Sequence, residues 1–275
     1  MLKKLLKHDL KAIFKFWWIA AIISVIIAVA GGFAQSVINS ERELPEAVMI
    51  MASMLTVFVY LSLLVFFLLT MVLIFIRFYK NFFTDEGYLT FTLPVTRREL
   101  LNSKLISGVT AISSTVLLLV INLIVIFLIG EHEYIFSAEF QQEVQSFFHT
   151  VLDELGIYFW VYIIELLVLV VLCILFAILF LFCCVTFASM IVKKAKLIAA
   201  IGIYYLANSI FSSVMQMFYL FGISSLTVWL TSVPEEIANS TVALLVLGLI
   251  CFVAMFCGLL YVLQYWMLER KLNLN

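Results

Sequence analysis

Residues 48–78 read VMIMASMLTVFVYLSLLVFFLLTMVLIFIRF, and this run decides the fold. A helix crosses a bilayer's hydrocarbon core with about 20 apolar residues. Val48–Phe78 exceeds that length, so it must tilt or project beyond the membrane. Five more runs are long enough to cross, near Phe16–Val37, Leu101–Ile129, Ile157–Val192, Leu197–Leu220 and Thr241–Leu268. Composition agrees: the 275 residues are 65% hydrophobic and 12% charged, with a mean hydropathy of +1.20. A soluble domain of this length has too little interior to hide that much apolar surface. The expected fold is all-α and polytopic, a single transmembrane domain over 1–275. It has six transmembrane helices and an N-terminal amphipathic interfacial helix.

Charge placement sets the expected orientation. An even number of spans puts both termini on one side. That side collects fifteen of the sixteen Lys and Arg residues, in the clusters Lys3–Lys15, Arg77–Lys80, Arg97–Lys104, Lys193–Lys196 and Arg270–Lys271. Arg42 alone falls opposite, among Glu41, Glu43, Glu46, Glu131, Glu133, Glu139, Glu143, Asp153, Glu154, Glu235 and Glu236. The positive-inside rule makes the basic side cytoplasmic.

Several function classes lack their signatures. A net charge of −1 gives no nucleic-acid footprint. Cys173, Cys183, Cys184, Cys251 and Cys257 all lie in apolar runs and read as small hydrophobes, not as a disulfide framework or zinc site. No G-x-x-x-x-G-K-[ST] cradle and no Gly-x-Ser-x-Gly elbow occurs, and His8, His132 and His149 are scattered. The chain is therefore not expected to be an enzyme by itself, nor to carry a catalytic, cofactor or metal site. Lys-rich residues 1–15 lead into the first run without a small-residue cleavage pattern, so no cleavable signal peptide is expected.

The polar stretch 79–100, between the second and third runs, is the densest in motifs. Thr96 and Glu99 have the spacing of a capping box, Val95 and Leu100 that of a hydrophobic staple, and Pro94 keeps its predecessor out of helix. The third helix should therefore start at Arg97. Thr84 is placed to cap an earlier short helix whose first turn carries Asp85 and Glu86. Tyr88–Leu93 alternates with period two, which by pattern alone reads as a strand.

The core of this stretch runs Glu86-Gly87-Tyr88-Leu89, then Leu93-Pro94-Val95-Thr96-Arg97-Arg98-Glu99-Leu100, with Lys104-Leu105 behind. It resembles the first cytoplasmic loop of type-2 ATP-binding cassette (ABC) permeases. The resemblance covers about a tenth of the chain. It implies a helix rather than a strand over Tyr88–Leu93, docking on a separate ABC ATPase subunit. The coupling residues would be Asp85, Glu86, Gly87, Tyr88, Leu89, Pro94, Arg97 and Arg98. It implies further that ATP and Mg sit on that partner, and that a second permease subunit completes a homo- or heterodimer. The place would be a bacterial cell membrane and the function export of a peptide, drug, lipid or glycan. Lys193, Lys194 and Lys196 would offer a second, shorter contact, or serve only as a topology signal.

Other segments have readings of their own. Lys4, Lys7, Lys11 and Lys15 repeat at helical spacing against Leu2, Leu5, Leu6, Leu10 and Ile13, so 1–16 is an amphipathic helix. It serves as an orientation signal and lipid anchor, or as the "elbow" helix the resemblance implies. Trp17 and Trp18 fall at the level of an aromatic belt. Phe136, Phe140, Val144, Phe147 and Val151 give 131–156 an amphipathic helix on the outer leaflet or on neighbouring spans. Residues 221–240, broken by Pro234, resemble the family's re-entrant hairpin or form an interfacial loop.

Glu165 is the one acid inside an apolar run, about two and a half turns into the fourth. An ionisable group there costs at least ~2.5 kcal/mol on insertion scales. It is either a structural acid bonded to a neighbour or a polar lining of the translocation path. Asn122 and Asn208 are weaker candidates of the same kind, or plain helix–helix hydrogen bonds. Two other functions stay open: a proton- or ion-coupled secondary transporter using Glu165, and a non-transport scaffold or sensor.

Overall fold

The computed structural model describes residues 2–40, 45–84, 95–192, 196–230 and 234–271. They form eight helices: α1 Leu2–Asn39, α2 Glu46–Phe83, α3 Arg97–Gly130, α4 His132–Ile135, α5 Ala138–Leu155, α6 Tyr158–Ile191, α7 Lys196–Leu230 and α8 Glu235–Lys271. No strand occurs among the described residues. Six helices (α1, α2, α3, α6, α7 and α8) are long and apolar enough to cross a membrane. The fold is all-α and polytopic, that of a membrane-embedded protein.

The amphipathic stretch is helical from Leu2 and runs without a break into the first span as α1. The helix of the fifth span does not end at Leu220; α7 continues through residues 221–230 to Leu230. Residues 231–233 lie outside the described ones.

The chain divides into two compact units that share α2 and α3. Unit 1 comprises residues 1–77 and 106–150. Its α1 buries Ile13, Trp17, Ala21, Ser24, Ala28, Gly31 and Gly32, a stripe at three- and four-residue spacing whose members are mostly small. In lipid, helices gain little from hiding apolar surface, so close approach and polar contacts hold them together. The glycines provide the approach. A Cβ on Gly31 would lie 2.7 Å from Val59 Cγ1, and one on Gly32 would lie 2.7 Å from Ile129 Cβ. Below them Ala28 packs with Val59, Leu63 and Ile126, and Trp17 and Ala21 with Phe66.

Polar contacts add the rest. Trp17 Nε1 donates to Thr115 Oγ1 at 2.7 Å, and the Thr115 hydroxyl lies 3.1 Å from Thr70 Oγ1. Trp17 is therefore an interior residue, 4% exposed, whereas its neighbour Trp18 is 60% exposed. At the basic end, Arg77 Nη2 stands 3.6 Å from Asp9 Oδ1 and 3.2 Å from His8 Nδ1.

Unit 2 comprises residues 78–105 and 151–275. Here α6 packs against α7 and α8. Phe78 stacks on Phe182, with ring centroids 3.8 Å apart and planes 7° from parallel. The α6–α8 seam carries Gln264 Nε2 donating to Thr186 Oγ1 at 2.8 Å, and the Cys183 and Cys257 thiols directed at the Leu260 and Leu172 carbonyls. All five cysteines are free thiols.

Candidate coupling site and intramembrane polar groups

Asp85, Glu86, Gly87, Tyr88, Leu89 and Pro94 lie outside the described residues, and so does the strand-or-helix question at Tyr88–Leu93. Both flanks of that loop are described. On the near side α2 ends at Phe83, and the Thr84 hydroxyl donates back to the Lys80 carbonyl at 2.6 Å. Thr84 thus closes the helix behind it; the segment it was expected to cap lies outside the described residues. Its hydroxyl satisfies a carbonyl that a helix end leaves orphaned.

On the far side the capping box forms in full. Glu99 N donates to Thr96 Oγ1 at 3.3 Å and Thr96 N to Glu99 Oε2 at 3.1 Å. Two amides that a helix start leaves without partners are satisfied reciprocally, and α3 begins at Arg97 as the spacing requires.

The first turns of α3 are also fastened to the last turns of α8. Arg97 Nη1 donates to the Glu269 carbonyl at 2.8 Å, with the Leu268 carbonyl 3.5 Å away. A guanidinium on the carbonyl end of a helix satisfies orphan acceptors and opposes the negative end of its dipole. Arg98 lies over the Tyr265 ring, 5.1 Å from its centroid, and Tyr261 OH donates to Asn102 Oδ1 at 2.9 Å. Arg97, Arg98 and Asn102 therefore meet Glu269, Tyr265 and Tyr261 in antiparallel order. The sequence marked the two arginines for an external partner; here both engage α8. Of the basic triplet, Lys193 and Lys194 lie outside the described residues and Lys196 begins α7.

The three intramembrane polar residues have different surroundings. Asn122 is fully buried in unit 1 and donates from Nδ2 to Ser24 Oγ at 3.2 Å, a contact joining α3 to α1. Asn208 is exposed on α7. Glu165 is only 7% exposed and is the one buried residue of α6 before Ile178. One turn earlier, Tyr162 OH donates to the Asn239 carbonyl at 2.9 Å, which brings α8 to this face of α6. Glu165 Oε2 has no hydrogen-bond partner among the described residues. A buried oxygen left without a donor costs about 1–3 kcal/mol, which a ligand, an ion or another chain supplying a donor would recover.

Asp9 escaped the sequence reading. It sits among lysines, yet its side chain is 1% exposed. The signal was there: Asp9, Ile13 and Trp17 are four apart and share a face opposite Lys11. On the acidic side Tyr134 OH donates to Glu143 Oε2 at 2.5 Å, tying α4 to α5. That bond, then desolvation and the charges of Glu143, Glu139 and Glu131, raise the Tyr134 pKa above its ordinary 10.0. The amphipathic helix expected in 131–156 is α5; it buries none of its residues, and Phe147 is 63% exposed. Among the described residues no group of three or more His, Cys, Asp or Glu is placed to hold a metal ion.

Comparison with protein-family models, with curated proteins and with solved structures finds no match to this chain.

Proposed function

We propose that this chain is the membrane-spanning permease subunit of an ABC exporter. It would form half of a translocation path and couple to a separate ATPase subunit that binds ATP and Mg. The observation that carries the reading is the motif Glu86–Leu100, standing between two helices long enough to cross a membrane. The flanks suit a loop that transmits force. Thr84 closes one helix, a complete capping box opens the next, and Arg97 and Arg98 engage the end of α8. A push on Asp85–Leu93 would reach α2, α3 and, through the arginines, α8. A second permease subunit would cover α7 and α8, where Tyr205, Ile210 and Leu244 are about two-thirds or more exposed. In this reading both termini are cytoplasmic in a bacterial cell membrane, and the cargo is a peptide, drug, lipid or glycan.

The unpartnered oxygen of Glu165 favours a second reading, a secondary transporter in which that carboxyl relays a proton or ion without an ATPase. One transport assay separates the two. If the ABC reading holds, Glu86→Ala with Tyr88→Ala abolishes ATP-dependent transport or ATPase co-purification, while Glu165→Gln leaves ATP dependence intact. Full transport by the double variant rejects the coupling role. Transport that needs no ATPase and is lost in Glu165→Gln establishes the second reading.

A further inference from the structure

In unit 1 an apolar groove of about 480 Å³ runs between α1 and α3. Phe14, Trp18, Ile22 and Ile26 line it from α1, and Ser114 and Leu118 from α3. Its base is fixed, because Trp17 also lines it and is bonded to Thr115. Ser114 donates its own hydroxyl to the Thr110 carbonyl at 2.7 Å and asks nothing of an occupant. Trp18, Ile22 and Ile26 are each about 60% exposed, so this wall is uncovered.

The groove has a length and a charged end. From Phe14 to Ile26 is twelve residues of α1, about 18 Å at the helical rise, close to the depth of one leaflet of a bilayer about 30 Å thick. Lys11 precedes Trp18 by seven residues and Lys15 precedes Ile22 by seven. Seven residues are almost two full turns, so both lysines stand on the groove's own line. Both are exposed, and neither pairs with a carboxylate among the described residues. Lys15 Nζ lies 5.8 Å from the centroid of the Phe16 ring.

We propose that this groove binds one anionic phospholipid, an acyl chain lying along Trp18–Ile26 and its phosphate at Lys11 and Lys15. A partner helix would fill the same apolar space but has no need of two unpaired cations at one end. The charge is what selects a lipid. This inference rests on the membrane-embedded fold and not on ATPase coupling, so either can fail alone.

The test uses Trp17 and Trp18 as reporters in the full chain, with Trp160→Phe, Trp229→Phe and Trp266→Phe removing the other indoles. The protein is reconstituted in phosphatidylcholine vesicles containing a minor fraction of brominated phosphatidylglycerol or, in parallel, brominated phosphatidylcholine. Two lysines near the surface should favour the anionic lipid at the site by about 30-fold at low salt. Lys11→Gln with Lys15→Gln should erase the preference. Lys4→Gln with Lys7→Gln, farther from the groove on the same face, should keep it. Ser114→Phe, which fills the groove with the charges intact, should lower quenching by phosphatidylglycerol. Circular dichroism checks that each variant is folded. Equal quenching by the two lipids in the unaltered lysine background overturns the proposal, as does equal loss from the two lysine pairs. Cross-linking of Ile22→Cys to a second copy would place protein in the groove and overturn it as well.

Discussion

Gly31→Ala adds one methyl group where α1 crosses α2, and the structure gives its cost. The new Cβ would lie 2.7, 2.9 and 3.2 Å from Cγ1, Cγ2 and Cβ of Val59. Carbon atoms rest at about 3.5–4.0 Å. Val59 is 1% exposed and branched at Cβ, so rotation about χ1 carries one methyl away only by bringing another in. The helices must separate. Overpacking of this kind costs about 1–3 kcal/mol, while Ala gains about 1 kcal/mol over Gly as a helix former. The net loss expected is about 1 kcal/mol. Val59→Ala alone forfeits packing, about 1–2 kcal/mol by comparison with other large-to-small changes. Combined, the two relieve each other: the added methyl fills part of the vacated space, and the double variant should approach native stability. The coupling between them should be about 2 kcal/mol, well outside the ~0.5 kcal/mol scatter of independent sites. Denaturant titration of purified protein in mixed micelles, read by tryptophan fluorescence, measures all four corners of the cycle. Additive losses, or a Gly31→Ala variant stabilised by the full ~1 kcal/mol of helix propensity, would refute the close approach.

Two further outcomes are expected. Thr96→Ala removes the oxygen that accepts from Glu99 N and should cost about 1 kcal/mol, seen as a roughly fivefold loss of hydrogen-exchange protection in the first turn of α3; Thr96→Ser should retain protection, and equal exchange in all three proteins would dismiss the cap. Tyr134 should ionise above its ordinary 10.0, because its phenol donates to Glu143. A raised folded pKa means that the tie between α4 and α5 is fully present below the ordinary tyrosine value and is lost as pH rises through the folded one. Tyrosinate absorbance, with Tyr134→Phe as the subtraction, should show its midpoint fall in Glu143→Gln; an unmoved midpoint contradicts the bond.

The apolar runs located all six long helices because each exceeds what a bilayer requires, whatever the helix packs against. The start of α3 was legible for a local reason: Thr96 and Glu99 satisfy each other within one turn, and no tertiary contact enters. Features that depend on a second helix were not legible. Trp17 has the composition and position of a belt residue, and only the approach of Thr115 makes it an interior donor. Thr84 is as well placed by sequence to end a helix as to start one, and its bond to the Lys80 carbonyl behind it shows only in the structure. The fifth apolar run ends at Leu220 while its helix continues to Leu230, because Gly222, Ser224, Ser225 and Thr227 interrupt the run without ending the helix. Glu165 and Asn122 were both visible as polar residues at depth. That the Asn122 amide nitrogen reaches Ser24 across a helix pair, while Asn122 Oδ1 and Glu165 Oε2 find no donor among the described residues, required the neighbours.

The sharing of α2 and α3 between the two units has a consequence for how the chain is made. Unit 1 uses nothing beyond residue 150, whereas residues 78–105 belong with 151–275. During synthesis the first unit can therefore assemble while the end of α2 and the start of α3 still lack their companions. Arg97, Arg98 and Asn102 wait for Glu269, Tyr265 and Tyr261, more than 150 residues later in the chain. Long-range partners of this kind join last and slowly. The ribosome thus finishes unit 1 well before the start of α3 has its footing on α8. A nascent chain stalled before α8 would present Phe78 and the start of α3 without that support, a form that quality-control proteases have reason to recognise.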